Sequence, residues 1–163
     1  MTTSMQRPLV LVVDDNKITT KLMRRYLEAN GFDSDEAGDG MECLERVAQR
    51  RPDAIILDVM MPRLDGFETV KMLKADAATA QIPVAIVTAL NDSATQVKAV
   101  EAGADDFLTK PIEERLLITK AHVLTSLGIE RRRIARLREI ISALLSGDTS
   151  SVQDYLKDEG FTA

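Results

Sequence analysis

The chain lacks several features that would assign it a function at once. It has one cysteine, Cys43, so no disulfide can form within it, which suits a reducing cytosol. No apolar run exceeds about six residues, whereas a membrane-crossing helix takes about 20. The opening MTTSMQRPL holds no long apolar stretch of the secretory kind. Neither the phosphate-cradling GxxxxGK nor the dinucleotide GxGxxG occurs. There is no internal repeat and no low-complexity tract. Basic residues are outnumbered 21 to 26, and the net charge of −5 argues against nucleic-acid binding by the chain as a whole. These absences lead us to expect a cytoplasmic protein with no membrane and no nucleic-acid partner. Cys43 reads as a core or half-buried thiol.

What the chain does have is material for a core. Of its 163 residues, 45% are apolar, enough for one domain, with or without an appendage. Short apolar runs alternate with helical spacing. LVLVV (9–13), AIILD (54–58) and PVAIVTA (83–89) read as strands buried on both faces. FDSDEA (32–37) and DFLT (106–109) read as shorter strands, the first polar enough for a sheet edge. Residues 16–30 carry Ile18, Leu22, Met23, Tyr26 and Leu27 on one helical stripe that stops at Gly31. Residues 40–51 carry Met41, Leu44, Val47 and Ala48, and Pro52 stops them. Asp65 caps a helix to about Ala75 with Phe67, Val70 and Leu73 inward. Asn91 or Asp92 caps another that ends at Gly103, and Pro111 opens a long helical region. Five strands alternating with helices imply an α/β fold, (βα)5, with a doubly wound parallel sheet and right-handed crossovers.

Sites in such sheets form at the carboxyl ends of the strands. Asp14, Asp15, Asp58, Thr88 and Lys110 all stand at those ends. Crowded carboxylates beside apolar strands repel one another, so they call for a cation. Hard oxygen donors with room for water suit Mg²⁺, with Mn²⁺ as an alternative. The competing reading makes Asp14 and Asp15 solvated helix caps. Asp58 can act as a nucleophile on a phosphoryl group and form an aspartyl phosphate. The Lys110 ammonium and the Thr88 hydroxyl can hold other phosphoryl oxygens. Small Ala89 leaves the approach open, and backbone N–H groups after Asp58 can add donors.

VVDDN (12–16), LDVMMPRLDG (57–66), VTA (87–89) and FLTKP (107–111), in this order, closely resemble the receiver domain of two-component response regulators. The resemblance covers about residues 8–125. It implies a flavodoxin-like fold with strand order 2-1-3-4-5. It implies that Asp58 is the phosphoacceptor, served by a histidine kinase or a histidine phosphotransfer protein. Asp15 would be a direct Mg²⁺ ligand, Asp14 a direct or water-mediated one, and Met60 would lend its backbone carbonyl. Thr88, Ala89 and Lys110 would hold the phosphoryl group. Phe107 matches the aromatic switch position, whose ring follows the Thr88 hydroxyl inward; the alternative is an ordinary core Phe. Lys110–Pro111 matches a cis peptide that aims Lys110 into the site. Asp65 reads as a helix cap rather than a ligand. His122, far from the cluster, reads as solvated or packing.

The charge pattern changes near residue 125. Residues 1–125 carry 15 basic and 20 acidic side chains, whereas residues 126–163 carry 6 of each. We therefore divide the chain into a receiver (1–125), an extended helix (126–147) and a tail (148–163) with a candidate short helix. Leu116, Val123, Glu130, Leu137 and Leu144 repeat every seven residues, interleaved with Lys120, Leu127, Ile134 and Ile141. That is the seam of a coiled coil, broken by Glu130, with Gly128 weakening the helix nearby. Three readings compete for this extension: a parallel dimer helix, a helix folded back on a receiver, and a basic helix using Arg131, Arg132, Arg133, Arg136 and Arg138 on nucleic acid.

The function expected is a Mg²⁺-dependent phosphorelay switch, not an enzyme beyond its own phosphorylation and dephosphorylation. A homodimer is expected through the 91–120 face, the 116–144 helix, or both. Two alternatives are a fragment of a larger regulator and a dimerisation adaptor. A phosphatase with an Asp nucleophile would need a second acid two residues on, where Met60 follows Asp58 and Lys17 follows Asp15.

Overall fold

A computed structural model describes residues 6–89, 93–147 and 150–158. The strands are β1 (Leu9–Val13), β2 (Asp33–Ala37), β3 (Ala54–Asp58), β4 (Val84–Thr88) and β5 (Asp106–Thr109). The helices are α1 (Lys17–Ala29), α2 (Gly40–Gln49), α3 (Gly66–Ala75), α4 (Ser93–Ala102), α5 (Glu114–Leu145) and α6 (Ser150–Asp158). The strands form one parallel sheet in the order β2-β1-β3-β4-β5. From β1 the chain moves outward to β2 and returns to β3 on the other side of β1. That reversal opens a crevice at the carboxyl ends of β1 and β3.

The runs LVLVV, AIILD and VAIVT are apolar throughout because helices cover both faces. Alternation sends Leu11, Val13, Ile55 and Leu57 to the α2–α3–α4 side, with Val47, Val70 and Leu73. Val10, Val12, Ile56 and Val87 go to the other side, with Met23 and Leu27 of α1 and Leu117, Ala121 and Leu124 of α5. Full burial of each valine, leucine, isoleucine or methionine side chain among them contributes about 1.5–3 kcal/mol. β2 is the edge strand its polar sequence predicts, with only Ala37 buried. β4 starts one residue later than read, because Pro83 has no N–H for the ladder; its carbonyl still accepts from Ile55 at 2.9 Å.

The helical stripes differ in part from the sequence reading. In α1 the buried residues are Thr20, Met23 and Leu27, whereas Ile18 is 79% exposed and Leu22 40%. Met41 is likewise exposed in α2, with Cys43 and Val47 inward. A helix lying on a sheet buries one narrow stripe, and apolar residues on its flank stay in solvent. The expected caps Asn91 and Asp92 lie outside the described residues. Gly128, read as a weak point, is a close contact instead: a Cβ there would stand 2.1 Å from the Asp53 carbonyl oxygen.

The chain forms two compact units, Met1–Gly128 and Ile129–Ala163. In the second, Gly147, at φ 82°, and its N–H bond to the Leu144 carbonyl at 3.1 Å close the end of α5. The Arg136 guanidinium lies 5.6 Å from the ring centre of Tyr155 on α6. Among the described residues, no helix is long and apolar enough to cross a membrane.

Candidate functional site

The site starts one residue past β1. The Asp14 N–H donates to the Ala37 carbonyl at 3.2 Å, extending the strand pairing to the sheet's rim. Asp14 is fully buried. One of its carboxylate oxygens accepts from the Asn16 N–H at 2.8 Å, and the other accepts from Lys110 Nζ at 2.9 Å. Asp15 points to solvent. Asn16 caps α1, accepting from the Ile18 and Thr19 N–H groups, so the helix begins directly behind the acidic pair.

Asp58 ends β3 with 4% of its surface exposed. Its Oδ1 lies 2.9 Å from Lys110 Nζ. One ammonium therefore bridges two buried carboxylates, and a third stands at the mouth. One oxygen from each of Asp14, Asp15 and Asp58 lies within 4.8 Å of the others. Burial holds the Asp58 carboxyl above its ordinary pKa, with the Asp14 and Asp15 charges acting in the same direction and the Lys110 hydrogen bond against it. Burial alone would lower the Lys110 pKa, but hydrogen bonds to Asp58 and Asp14 outweigh it, and the ammonium is held above its usual range. Three carboxylates against one ammonium leave an excess of negative charge. The donors are hard oxygens, and Asp15 opens to water, so the set fits a Mg²⁺ ion that keeps part of its hydration shell.

Thr88, at the end of β4, is 4% exposed, and its carbonyl accepts from the Lys110 N–H at 2.9 Å. Ala89 beside it is exposed. The Lys110–Pro111 peptide is cis. The Met60 side chain is 75% exposed. The Val59 N–H donates to the Val87 carbonyl at 3.1 Å, which commits the first amide after Asp58 to the sheet. Phe107 is 37% exposed with Lys120 Nζ 5.8 Å from its ring centre. That excludes the reading of Phe107 as an ordinary core residue.

Residues 10–122 match the response regulator receiver domain family. The chain belongs to that family. It is 41% identical over 115 residues to the response regulator MprA of Mycobacterium leprae, an alignment covering 71% of this chain and 50% of MprA. It is also 41% identical over 116 residues to the response regulator PleD of Caulobacter vibrioides, covering 71% of this chain and 26% of PleD. Among solved structures, the receiver domain of the Francisella response regulator 1452 superposes with a TM-score of 0.69 at 35% identity, covering 74% of this chain and 98% of that one. The Vibrio cholerae chemotaxis protein CheY4 does so with a TM-score of 0.69 at 28% identity, covering 72% and 98%. The chain spans about half or less of the length of these curated relatives.

The remaining receiver residues fall where their chemistry places them. Asp65 caps α3, accepting from the Glu68 N–H at 2.9 Å. The His122 ring packs on buried Phe32, with centroids 4.7 Å apart. Cys43 is buried. The sequence reading passed over the pairing of Arg63 with Asp39. The two lie 24 residues apart, and no spacing rule connects a loop arginine to a helix cap.

Proposed function

We propose that this receiver is a phosphoacceptor switch in which Asp58 takes a phosphoryl group from a phosphohistidine, carried by a histidine kinase or a histidine phosphotransfer protein. The observation that carries this reading is the Lys110 bridge between buried Asp14 and Asp58 beside exposed Asp15. Asp15, Asp58 and the Met60 carbonyl would hold Mg²⁺, with Asp14 direct or through water. The ion supplies positive charge to the carboxylates and to the phosphoryl oxygens. Asp58 supplies the nucleophile: a carboxylate oxygen bonds to phosphorus as the phosphorus–nitrogen bond breaks, and the imidazole nitrogen keeps the electron pair. Lys110 Nζ, already 2.9 Å from Asp58 Oδ1, transfers a hydrogen bond to a phosphoryl oxygen. Thr88 does the same from β4, and exposed Ala89 leaves the entry clear. Exposed Ile18, on the first turn of α1, gives the donor an apolar foothold beside the site. The chain acts once per phosphoryl group rather than as a turnover catalyst.

The output reading is a second copy of the chain. Val97, Val100, Phe107 and Leu116 are exposed along α4, β5 and α5. On the same long helix Ile134 (49%), Leu137 (44%), Ile141 (56%) and Leu144 (50%) keep the heptad seam in solvent. The three-residue step from Ile134 to Leu137 and from Ile141 to Leu144 puts isoleucine at the first core position of the heptad and leucine at the fourth, which favours two parallel strands.

Mg²⁺ with acetyl phosphate, followed by intact-mass measurement, tests the acceptor. Wild type gains one phosphoryl group and Asp58→Asn none. Equal gain in the two proteins removes Asp58 from the reading.

A further inference from the structure

The loop from Asp58 to the cap of α3, residues 59–65, carries Met60. The Gly66 N–H closes it on the Val59 carbonyl at 3.0 Å, and the Leu64 N–H turns it on the Pro62 carbonyl at 2.8 Å. At its tip Arg63 has φ 66°, the left-handed region that a long L side chain rarely enters. A loop that only had to reverse direction would take glycine there at no steric cost. Arg63 is held by its side chain: the guanidinium donates to Asp39 Oδ2. The Asp39 side chain is only 7% exposed. Its other oxygen caps α2, accepting from the Glu42 N–H at 3.0 Å. The neighbouring Gly40 has no room for a side chain, since a Cβ would lie 2.1 Å from Thr69 Oγ1 and 2.9 Å from the Leu64 carbonyl oxygen. The first turn of α2 therefore lies directly against the end of the loop and the start of α3.

We propose that Asp39 and Arg63 are positioning residues for the phosphoacceptor site: their pair pins the tip of the loop to α2 and so sets where Met60 presents its carbonyl. The inference rests on the reading of Asp58 and Met60 given above. Neither residue touches the reacting atoms, and both act through the loop backbone. The cap on α2 uses the other Asp39 oxygen and does not need the charge, because asparagine caps a helix as well as aspartate.

Two single variants and their double separate the pin from the fold. Arg63→Gly removes the guanidinium and eases the backbone. Asp39→Asn keeps the cap and removes the charge. On the full chain, Mg²⁺ affinity is read by calorimetry, metal-free amide exchange over residues 59–65 by mass spectrometry, and stability by thermal melts. Each single variant should weaken Mg²⁺ binding about tenfold, as lost support around a metal site does. The double should be no weaker than either single, because both break one pair. The loop should exchange faster in all three, while Arg63→Gly melts at or above wild type. Wild-type Mg²⁺ affinity in the variants, or losses that add in the double, would overturn the proposal. Affinity that falls only in step with melting temperature would overturn it too, leaving a purely structural pair. Wild type that binds no Mg²⁺ overturns the site reading itself; unchanged loop exchange overturns the pin alone.

Discussion

Asp58, the nucleophile of the proposed reaction, stands in a conflict: it is buried beside two more acids. Burial, then repulsion, hold its carboxyl above the ordinary range. The folded protein therefore binds that proton at pH values where the unfolded chain has released it. In the metal-free protein this group favours the fold below the ordinary carboxyl pKa, and the benefit disappears as pH rises through the folded-state value. Asp58→Asn removes the conflict. Melts in EDTA at pH 7 should put the variant a few degrees above wild type, with the gap closing as pH falls toward about 4. Mg²⁺ should then raise wild type more than the variant. A variant that melts below wild type without metal would mean that the Lys110 pairing outweighs burial and repulsion. Cys43 makes a second residue-scale case. Burial, then the nearby Asp39 charge, push its thiol up to about 12. A thiol reagent at pH 8 should label the native chain no faster than it unfolds and label it at once in denaturant.

At the scale of elements, the long helix α5 shows how context reverses a propensity. Alanine for glycine inside a helix normally stabilises by about 1 kcal/mol. At Gly128 the added Cβ would meet the Asp53 carbonyl oxygen at 2.1 Å and Pro83 Cδ at 3.0 Å. Gly128→Ala should therefore destabilise by about 1–3 kcal/mol, the usual cost of overpacking, and urea titration would show the midpoint falling. A rise in the midpoint would restore Gly128 to a mere weak point. The same helix carries two apolar faces. Leu117, Ala121 and Leu124 meet the sheet, while Leu116 and Val123 remain exposed. Heptad spacing found the second face. The first face was hidden because both run along one stretch of helix, and periodicity alone does not say which one meets a sheet.

For the whole molecule, the exposed seam predicts association. Light scattering on the full chain should give a dimer at tens of micromolar. The double variant Ile134→Asp, Leu137→Asp should give a monomer while still taking one phosphoryl group at Asp58. Retained dimerisation in that variant would move the interface to the face of α4 and β5. Loss of phosphorylation along with the dimer would show that the acceptor site depends on the partner copy.

The strands, the order of elements and the acidic cluster were legible in the sequence, because each follows from short-range rules. An apolar run buried on both faces implies a parallel sheet, and carboxylates at strand ends of such a sheet share one rim. Asp14, Asp15, Asp58, Thr88 and Lys110 could therefore be grouped before any coordinate was known. Only the tertiary structure decided which of them are buried and what they touch. It made Asp14 an internal partner of Lys110 and left Asp15 in water, and it turned Phe107 outward. It also joined Arg63 to Asp39 and gave Gly128 its reason. The physical cause is the same throughout. Local pattern sets which residues can form an element, but burial and pairing depend on surfaces brought together from distant parts of the chain.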